Sequence, residues 1–368
     1  TASRFEVIAK SPLTGIYGDS NAGGFFGPEL KFAGWDYIVF TGRAECPVFL
    51  NIHDDQVELR DAHDLWGLTT SQAEKAILQK LGDAKIKTAT IGPAGENLVR
   101  FAGIQATSQR SAARCGLGAV MGSKNLKAIA LRGHNQVPLA DSERFAQLAR
   151  EFHRRLRENA VYEPVHEHGT PGIAAMMNAL GRFPTKNFQM GSFVDIGKID
   201  AEALKERAFV RHMGCYACPV ACDALYSVPD GPYKGTTLHS VEYETLSSLG
   251  SGILNSNLDS ILYMNKLCDD LGLDTISAGR CIGFAMELWE RGILTAQDTG
   301  GLGLEWGDFE VATELLEMMA YRKGFGNLLA EGVRRAAETI GRGADEYAMH
   351  VKGMEIPAQD GRAQRSMG

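Results

Sequence analysis

From Arg4 to about Gly133, short runs of strand-forming residues alternate with glycine-bearing turns. Phe5-Glu-Val-Ile-Ala9, Tyr37-Ile-Val-Phe40 and Val48-Phe-Leu-Asn-Ile52 read as β-strands, and the last meets Val57-Glu-Leu59 across His53-Asp-Asp-Gln56 as a hairpin. Further strands are expected at Thr88 to Ile91, Arg100 to Ile104 and Lys127 to Leu131, with one helix at Thr70 to Leu81 interrupting them. Beyond Pro138 the apolar spacing becomes helical. Asp141 or Ser142 caps a segment whose Phe145, Leu148, Ala149, Phe152 and Leu156 share a face. More helices are expected at Gly172 to Leu180, Asn257 to Leu271, Ile276 to Arg291, Phe309 to Tyr321 and Leu328 to Ile340, several ending in glycine.

This change of texture predicts an α+β fold. A sheet-rich domain over residues 1–138 precedes a mainly α-helical domain over 139–345, and 346–368 reads as the start of a further domain. The 368 residues are 44% apolar, enough for two real cores. The chain opens in mid-strand at Thr1 and stops after a loop at Gly368, the pattern expected of a fragment lacking both ends.

Charge narrows the function. A net charge of −7, with Lys and Arg scattered through Glu-bearing helices, gives no footprint for nucleic acid. No apolar run approaches the roughly 18 residues that span a bilayer, and the first ten residues lack the layout of a signal peptide, so a cytoplasmic protein is expected.

Three of the seven cysteines fall in Cys215-Tyr-Ala-Cys218-Pro-Val-Ala-Cys222. Such clustering is unlike the dispersed cysteine framework of a secreted domain and points to a metal. The CxxCxxxC spacing places three soft thiolates in one loop, as an iron-sulfur cluster requires. Zinc usually arrives with two CxxC pairs or a histidine pair, and His212 alone does not supply that. Unliganded thiols so close together would invite oxidation. A fourth ligand must come from elsewhere: Cys46, Cys115, Cys268 and Cys281 are candidates, as is a cysteine beyond Gly368. Cys268 and Cys281 sit in helical patterns as small buried hydrophobes, which favours the last.

Three glycine-rich stretches lie in the first domain: Asn21-Ala-Gly23-Gly24-Phe-Phe-Gly27, Gly92-Pro-Ala-Gly95-Glu-Asn97 and Cys115-Gly116-Leu-Gly118-Ala-Val-Met-Gly122-Ser-Lys124. Glycine lets backbone N–H groups approach an anion, although none of the three matches a P-loop or dinucleotide fingerprint. Together with Lys10-Ser-Pro-Leu-Thr-Gly15, Gly27-Pro-Glu-Leu-Lys-Phe-Ala-Gly34, Leu126-Lys-Ala128 and the cysteine motif, they resemble the aldehyde ferredoxin oxidoreductase family, in order from Arg4 into the 360s.

The resemblance implies a tungsten, less often molybdenum, ion held by two pterins, a 4Fe-4S cluster, and oxidation of an aldehyde to a carboxylic acid with ferredoxin as acceptor. It implies an anaerobic way of life. It assigns Arg4 to the space between pterin and cluster, where a cation beside phosphates is favourable. It places Asn21, Gly23 and Gly24, and Arg110, Ser111 and Ala113, against the pterins. Main-chain carbonyls of Asn21 and Ser111 would ligate a magnesium bridging the pterin phosphates. Asp269-Asp-Leu-Gly272-Leu273-Asp274 resembles a pterin-binding motif, although Asp-Leu-Gly alone is an ordinary helix end. A second such motif, with the fourth cluster cysteine, is expected after Gly368. Where the family's bridging iron takes a Glu-x-x-His, this chain has Tyr263 and Lys266, so that iron and that route to a homo-oligomer are in doubt.

The expectation is therefore a tungsten-pterin aldehyde oxidoreductase with ferredoxin or an iron-sulfur subunit as partner. Glu242-Tyr-Glu244 resembles the aldehyde-oxidising subgroup, with Glu244 as the catalytic, proton-handling carboxylate and Glu242 structural. Its alternatives are a related reductase of aromatic thioesters, a pterin-free iron-sulfur electron-transfer subunit, or a zinc-stabilised binding module.

Overall fold

The computed structural model describes residues 3–107 and 109–363, so Ser108 and the last five residues of the expected third domain lie outside the described residues. Its architecture is the expected α+β. A hairpin of Phe5–Lys10 and Tyr17–Ala22, in register Phe5 to Ala22, packs beside a six-stranded sheet. That sheet runs Gln56–Asp61, Val48–His53, Leu126–Arg132, Lys87–Thr90, Ile104–Ala106, Arg110–Ala112. Only Val48–His53 and Leu126–Arg132 pair in parallel.

Local chemistry explains most boundaries. The helix Thr70–Leu81 opens on a Thr69/Gln72 capping box and closes on Gly82 in the left-handed conformation. Asn257, Asp274 and Asp308 cap the helices Leu258–Leu271, Thr275–Glu290 and Phe309–Ala320, each accepting a backbone N–H from the first turn. These three helices bury Met264, Phe284 and Leu315 in one core with Leu13, Val99 and Phe101 of the first half. The two halves therefore share a core.

Several expectations fail for identifiable reasons. Tyr37-Ile-Val-Phe40 has strand-forming residues but no strand: it crosses the surface without a ladder partner, with Tyr37 76% and Val39 72% exposed. The strand expected at Arg100 starts only at Ile104, because Phe101 and Ala102 turn to the helical half, where Asp274 N bonds to Phe101 O and Ala102 bridges to Leu273. Gly332, at φ 84°, divides the helix expected at Leu328 to Ile340 into Gly324–Leu329 and Val333–Ile340. Asp141 does cap Ser142–Arg157, yet none of that helix is buried, and Phe145 and Phe152 are 57% and 60% exposed. The second half also contains a sheet that periodicity missed, Thr237–His239, Asp223–Ser227 and Phe209–Met213 in that order.

Two glycine-rich stretches prove to be packing seams. A Cβ on Gly122 would sit 2.0 Å from Gly95 O, so only glycine lets the helix Leu117–Ser123 close on Pro93–Glu96. Between the same stretches lies a buried ion pair, Lys127 with Glu96. Lys127 Nζ also donates to Leu68 O at 2.8 Å, and Glu96 accepts Gly67 N at 2.9 Å. Burial pulls the Lys127 ammonium below its usual pKa and Glu96 opposes the shift. In Glu96→Gln the charge of Lys127 is left buried and unpaired, so urea unfolding should show a loss of about 3–5 kcal/mol.

Candidate functional site

Where the first sheet meets the helical half, a cavity of about 510 Å³ is lined by residues from four separate parts of the chain. Arg4, Asn21 and Gly23 come from the N-terminal hairpin and its flanks, Arg110, Ser111 and Ala113 from the last sheet strand and the residue after it, Asp269, Leu273 and Asp274 from the end of the helix Leu258–Leu271 and the turn that follows, and Glu244 from a short helix. Gly24 and Gly272 lie just behind them: Gly24 O accepts Tyr216 N at 3.1 Å, and Gly272 ends the helix Leu258–Leu271. A larger apolar cavity, about 590 Å³, shares only Arg4 with these residues and is otherwise lined mainly by side chains such as Val7, Phe26 and Leu30. It offers little chemistry.

Arg4 is fastened to the hairpin, its Nε donating to Asn21 Oδ1 at 2.5 Å and its Nη2 reaching Asn21 O at 3.3 Å. On the other side, Arg110 pairs with the buried Asp223, which directly follows Cys222. This ion pair joins the last sheet strand to the cysteine loop. Burial pushes the Asp223 carboxyl up despite Arg110.

Cys215, Cys218 and Cys222 occupy the connection between Phe209–Met213 and Asp223–Ser227, whose register closes Met213 on Asp223. The loop turns through Ala217 and Ala221, both with left-handed φ, 52° and 46°. Alanine holds that conformation only where its surroundings impose it, and such strain collects at functional loops. Cys215 Sγ lies against the hairpin: a Cβ on Gly23 would fall 2.8 Å from it, so glycine there admits the thiol. Among the described residues, the donor groups gathered within 4.8 Å do not include this trio. A single ion needs its donors that close, whereas cluster thiolates bind different irons and stand further apart. Of the other thiols, Cys268 and Cys281 are fully buried in the core, Cys115 packs near Asp19 and Met354, and Cys46 lies with Asp61 and His63.

Each aspartate of the Asp269 to Asp274 loop has a different task. Asp269 is buried, accepts Gln105 Nε2 at 2.9 Å and Asn265 Nδ2 at 3.1 Å, and is raised well above the usual carboxylate range by burial. Asp270 takes Ser71 Oγ and Lys266, and Tyr263 stacks on Tyr233 at 4.9 Å. Asp274 caps its helix and accepts Arg114 Nη1 at 3.1 Å.

Glu244 opens the helix Tyr243–Ser248, where Ala358 N donates to its Oε2 at 2.6 Å. Burial raises its pKa, against the opposing pull of that bond and of Arg280 and Arg114. Glu242 is exposed, accepts Ser240 Oγ at 2.7 Å and Thr170 Oγ1, and lines the same cavity.

Sequence reasoning missed Arg114, Gln105, Asn265, Asp223 and His239, all in or beside the cavity. Asp223, next to Cys222, was the one with a positional signal. Buried atoms without a hydrogen-bond partner gather here: Ser111 Oγ, Gln105 Oε1, Asp223 Oδ1 and His239 Nδ1. Unsatisfied polar groups at one cavity are what a polar ligand would complete, so the residues fit a hydrogen-bonding cofactor such as a pterin.

Two family models match the chain that carries this cavity and the cysteine loop. Residues 1–133 match the aldehyde ferredoxin oxidoreductase N-terminal domain, and residues 147–368 match domains 2 and 3 of the same enzymes. The chain belongs to the aldehyde ferredoxin oxidoreductase family. It is 44% identical over its whole length to a tungsten-containing aldehyde ferredoxin oxidoreductase of Thermococcus kodakarensis and 43% identical to that of Pyrococcus furiosus. It spans 60% of the length of each of these relatives. An aliphatic sulfonate oxidoreductase WOR-like subunit of Pyrococcus furiosus is 36% identical over 97% of the chain and 60% of that protein. Among solved structures, the active-site complex BamBC of benzoyl coenzyme A reductase with 1,5-dienoyl-CoA matches at a TM-score of 0.85 and 31% identity, covering 97% of this chain and 55% of that one.

Proposed function

We propose that the chain is the cofactor-binding portion of a tungsten-pterin oxidoreductase that converts an aldehyde to a carboxylic acid. The reading rests on one observation above all: loops far apart in sequence, Asn21 to Gly23, Arg110 to Ala113 and Asp269 to Asp274, converge with Glu244 on one cavity. The tungsten-containing relatives support the choice of cofactor.

Bound there, a pterin-held tungsten, or molybdenum, would supply two-electron chemistry and a 4Fe-4S cluster on Cys215, Cys218 and Cys222 a one-electron path out. The rest falls to the chain itself. Asp269 and Asp274 accept pterin N–H groups, Leu273 and Gly272 shape the loop that presents them, and backbone N–H groups at Gly23 and Gly24 face phosphate. Arg4 and Arg110 neutralise anionic charge between pterin and cluster. Carbonyl oxygens carry two lone pairs, so Asn21 O, which accepts Arg4 Nη2, would with Ser111 O also help hold a magnesium. Glu244 orients the substrate and takes a proton as aldehyde and water become acid, two electrons and two protons.

Ferredoxin or an iron-sulfur subunit would receive the electrons, and any homo-oligomer would have to form without a bridging iron, since Tyr263 and Lys266 offer it no Glu-x-x-His. No helix among the described residues is long and apolar enough to cross a membrane. Seven free thiols fit a reducing, cytoplasmic setting. The benzoyl coenzyme A reductase likeness favours a second reading, reduction of an aromatic thioester. Full-length protein assayed without oxygen should reduce a viologen dye with aldehydes. Dye oxidation by aromatic thioesters, with aldehydes inert, selects the second reading instead.

A further inference from the structure

The hairpin Val48–His53/Gln56–Asp61 forms one edge of the six-stranded sheet, and its open end carries an arrangement unrelated to the cavity. There Cys46 Sγ, an Asp61 carboxylate oxygen and a His63 ring nitrogen all lie within 4.8 Å of one another. None of the three lines the cavity that Arg4 and Glu244 share. The backbone around them is fixed, since Val48 registers with Asp61 and Ala62 N bonds to Pro47 O at 2.9 Å. That pairing is what brings Cys46, before the first strand, against Asp61 and His63, at the end of the second.

We propose that Cys46, Asp61 and His63 form a binding site for a zinc-class divalent cation, with its remaining coordination position open to solvent. The donor set argues for the metal class. One thiolate, one imidazole and one carboxylate suit zinc, whereas magnesium and calcium take oxygen alone. A tetrahedral ion with bonds of about 2.0–2.3 Å holds its donors about 3.3–3.8 Å apart, inside the span these atoms already occupy. His63 Nδ1 and Asp61 Oδ2 now touch at 2.6 Å, and the ion replaces that hydrogen bond. Both side chains are more than half exposed, 62% and 60%, so they separate by simple rotation. His63 N, at 3.1 Å from Asp61 Oδ1, keeps the carboxylate aimed while they do. Binding exchanges one proton for the metal at the Cys46 thiol, and nothing is oxidised or reduced.

A second trio at the other end of the hairpin, His53, Asp54 and His134, is the natural comparison. Its carboxylate is less free to turn: Asp54 is 29% exposed against 60% for Asp61, and besides His134 N at 2.7 Å and the His134 ring at 3.0 Å it accepts Asn135 Nδ2 at 3.4 Å. It also lacks a thiolate.

The test uses full-length protein purified without oxygen, washed with a chelator too weak to strip the cluster, and equilibrated with micromolar zinc. Bound zinc and iron are measured per chain, and zinc K-edge absorption reads the ligand shell. The expected result is about one zinc with a single sulfur near 2.3 Å, bound at least tenfold more weakly in Cys46→Ala and His63→Ala, with iron unchanged in both. His134→Ala should bind as the parent does. No zinc in the parent, undiminished zinc in Cys46→Ala, or equal loss in His134→Ala overturns the proposal. So does zinc that enters only as iron leaves, or that carries several sulfurs, since it would then occupy the Cys215 to Cys222 loop.

Discussion

In Cys218→Ala, the iron content of the purified protein is expected to collapse, and with it the broad absorbance near 400 nm of thiolate-bound iron. The reason lies in how the loop is built. Cys218 is the middle cysteine of the three, its N–H bonded to Cys215 O at 3.1 Å, and the chain reverses on either side of it through left-handed Ala217 and Ala221. Removing one of three local ligands leaves a cluster without a full set of cysteines, and the usual outcome is loss or scrambling of all its irons. Iron retained at the parental level would mean that Cys218 is no ligand. Stoichiometric zinc in place of iron at this loop would replace the cluster by a structural site.

Glu244→Gln is expected to keep metal and cluster but lower turnover by on the order of a hundredfold, the ordinary share of a positioned acid–base group. Glutamine preserves the bond from Ala358 N, so the side chain stays in place and only its proton affinity is lost. The pH profile makes the assignment specific. Burial raises the Glu244 pKa, so the carboxylate is protonated, and the base lost, as pH falls through a value above the ordinary glutamate range. Turnover of the parent should therefore fall on the acid side earlier than a solvent-exposed glutamate would allow, and that limb should vanish in Glu244→Gln. Unchanged turnover removes Glu244 from the mechanism, and loss of tungsten makes its role structural.

Capping residues and hydrophobic period made the helices at Thr70, Leu258, Thr275 and Phe309 legible, because each boundary is set by its neighbours in sequence. Tyr37 to Phe40 shows the converse, since a strand needs a partner that local sequence does not name. The same limit hid the three-stranded sheet around the cysteines: Thr237–His239 is too short to show alternation, and Asp223–Ser227 begins where the motif ends. In the candidate site, residues inside recognisable motifs were legible, down to Arg4 and Asp274. Gln105 and His239 were not, because their places depend on tertiary contacts across more than a hundred residues, Gln105 with Asp269 and His239 N with Gln109 Oε1, while Asn265, four residues before Asp269 on the same helix, belongs to no motif. Glycine was the most ambiguous signal. Gly23 faces the Cys215 thiol, whereas Gly95 and Gly122 simply let two helices touch.

Elemental and pterin analysis of full-length protein purified without oxygen reads out whether this cavity takes a metal-bearing pterin beside an iron-sulfur cluster. About one tungsten or molybdenum, about two pterins and about four irons per chain are expected. Iron present without tungsten, molybdenum or pterin would contradict that expectation and leave the protein an iron-sulfur electron carrier.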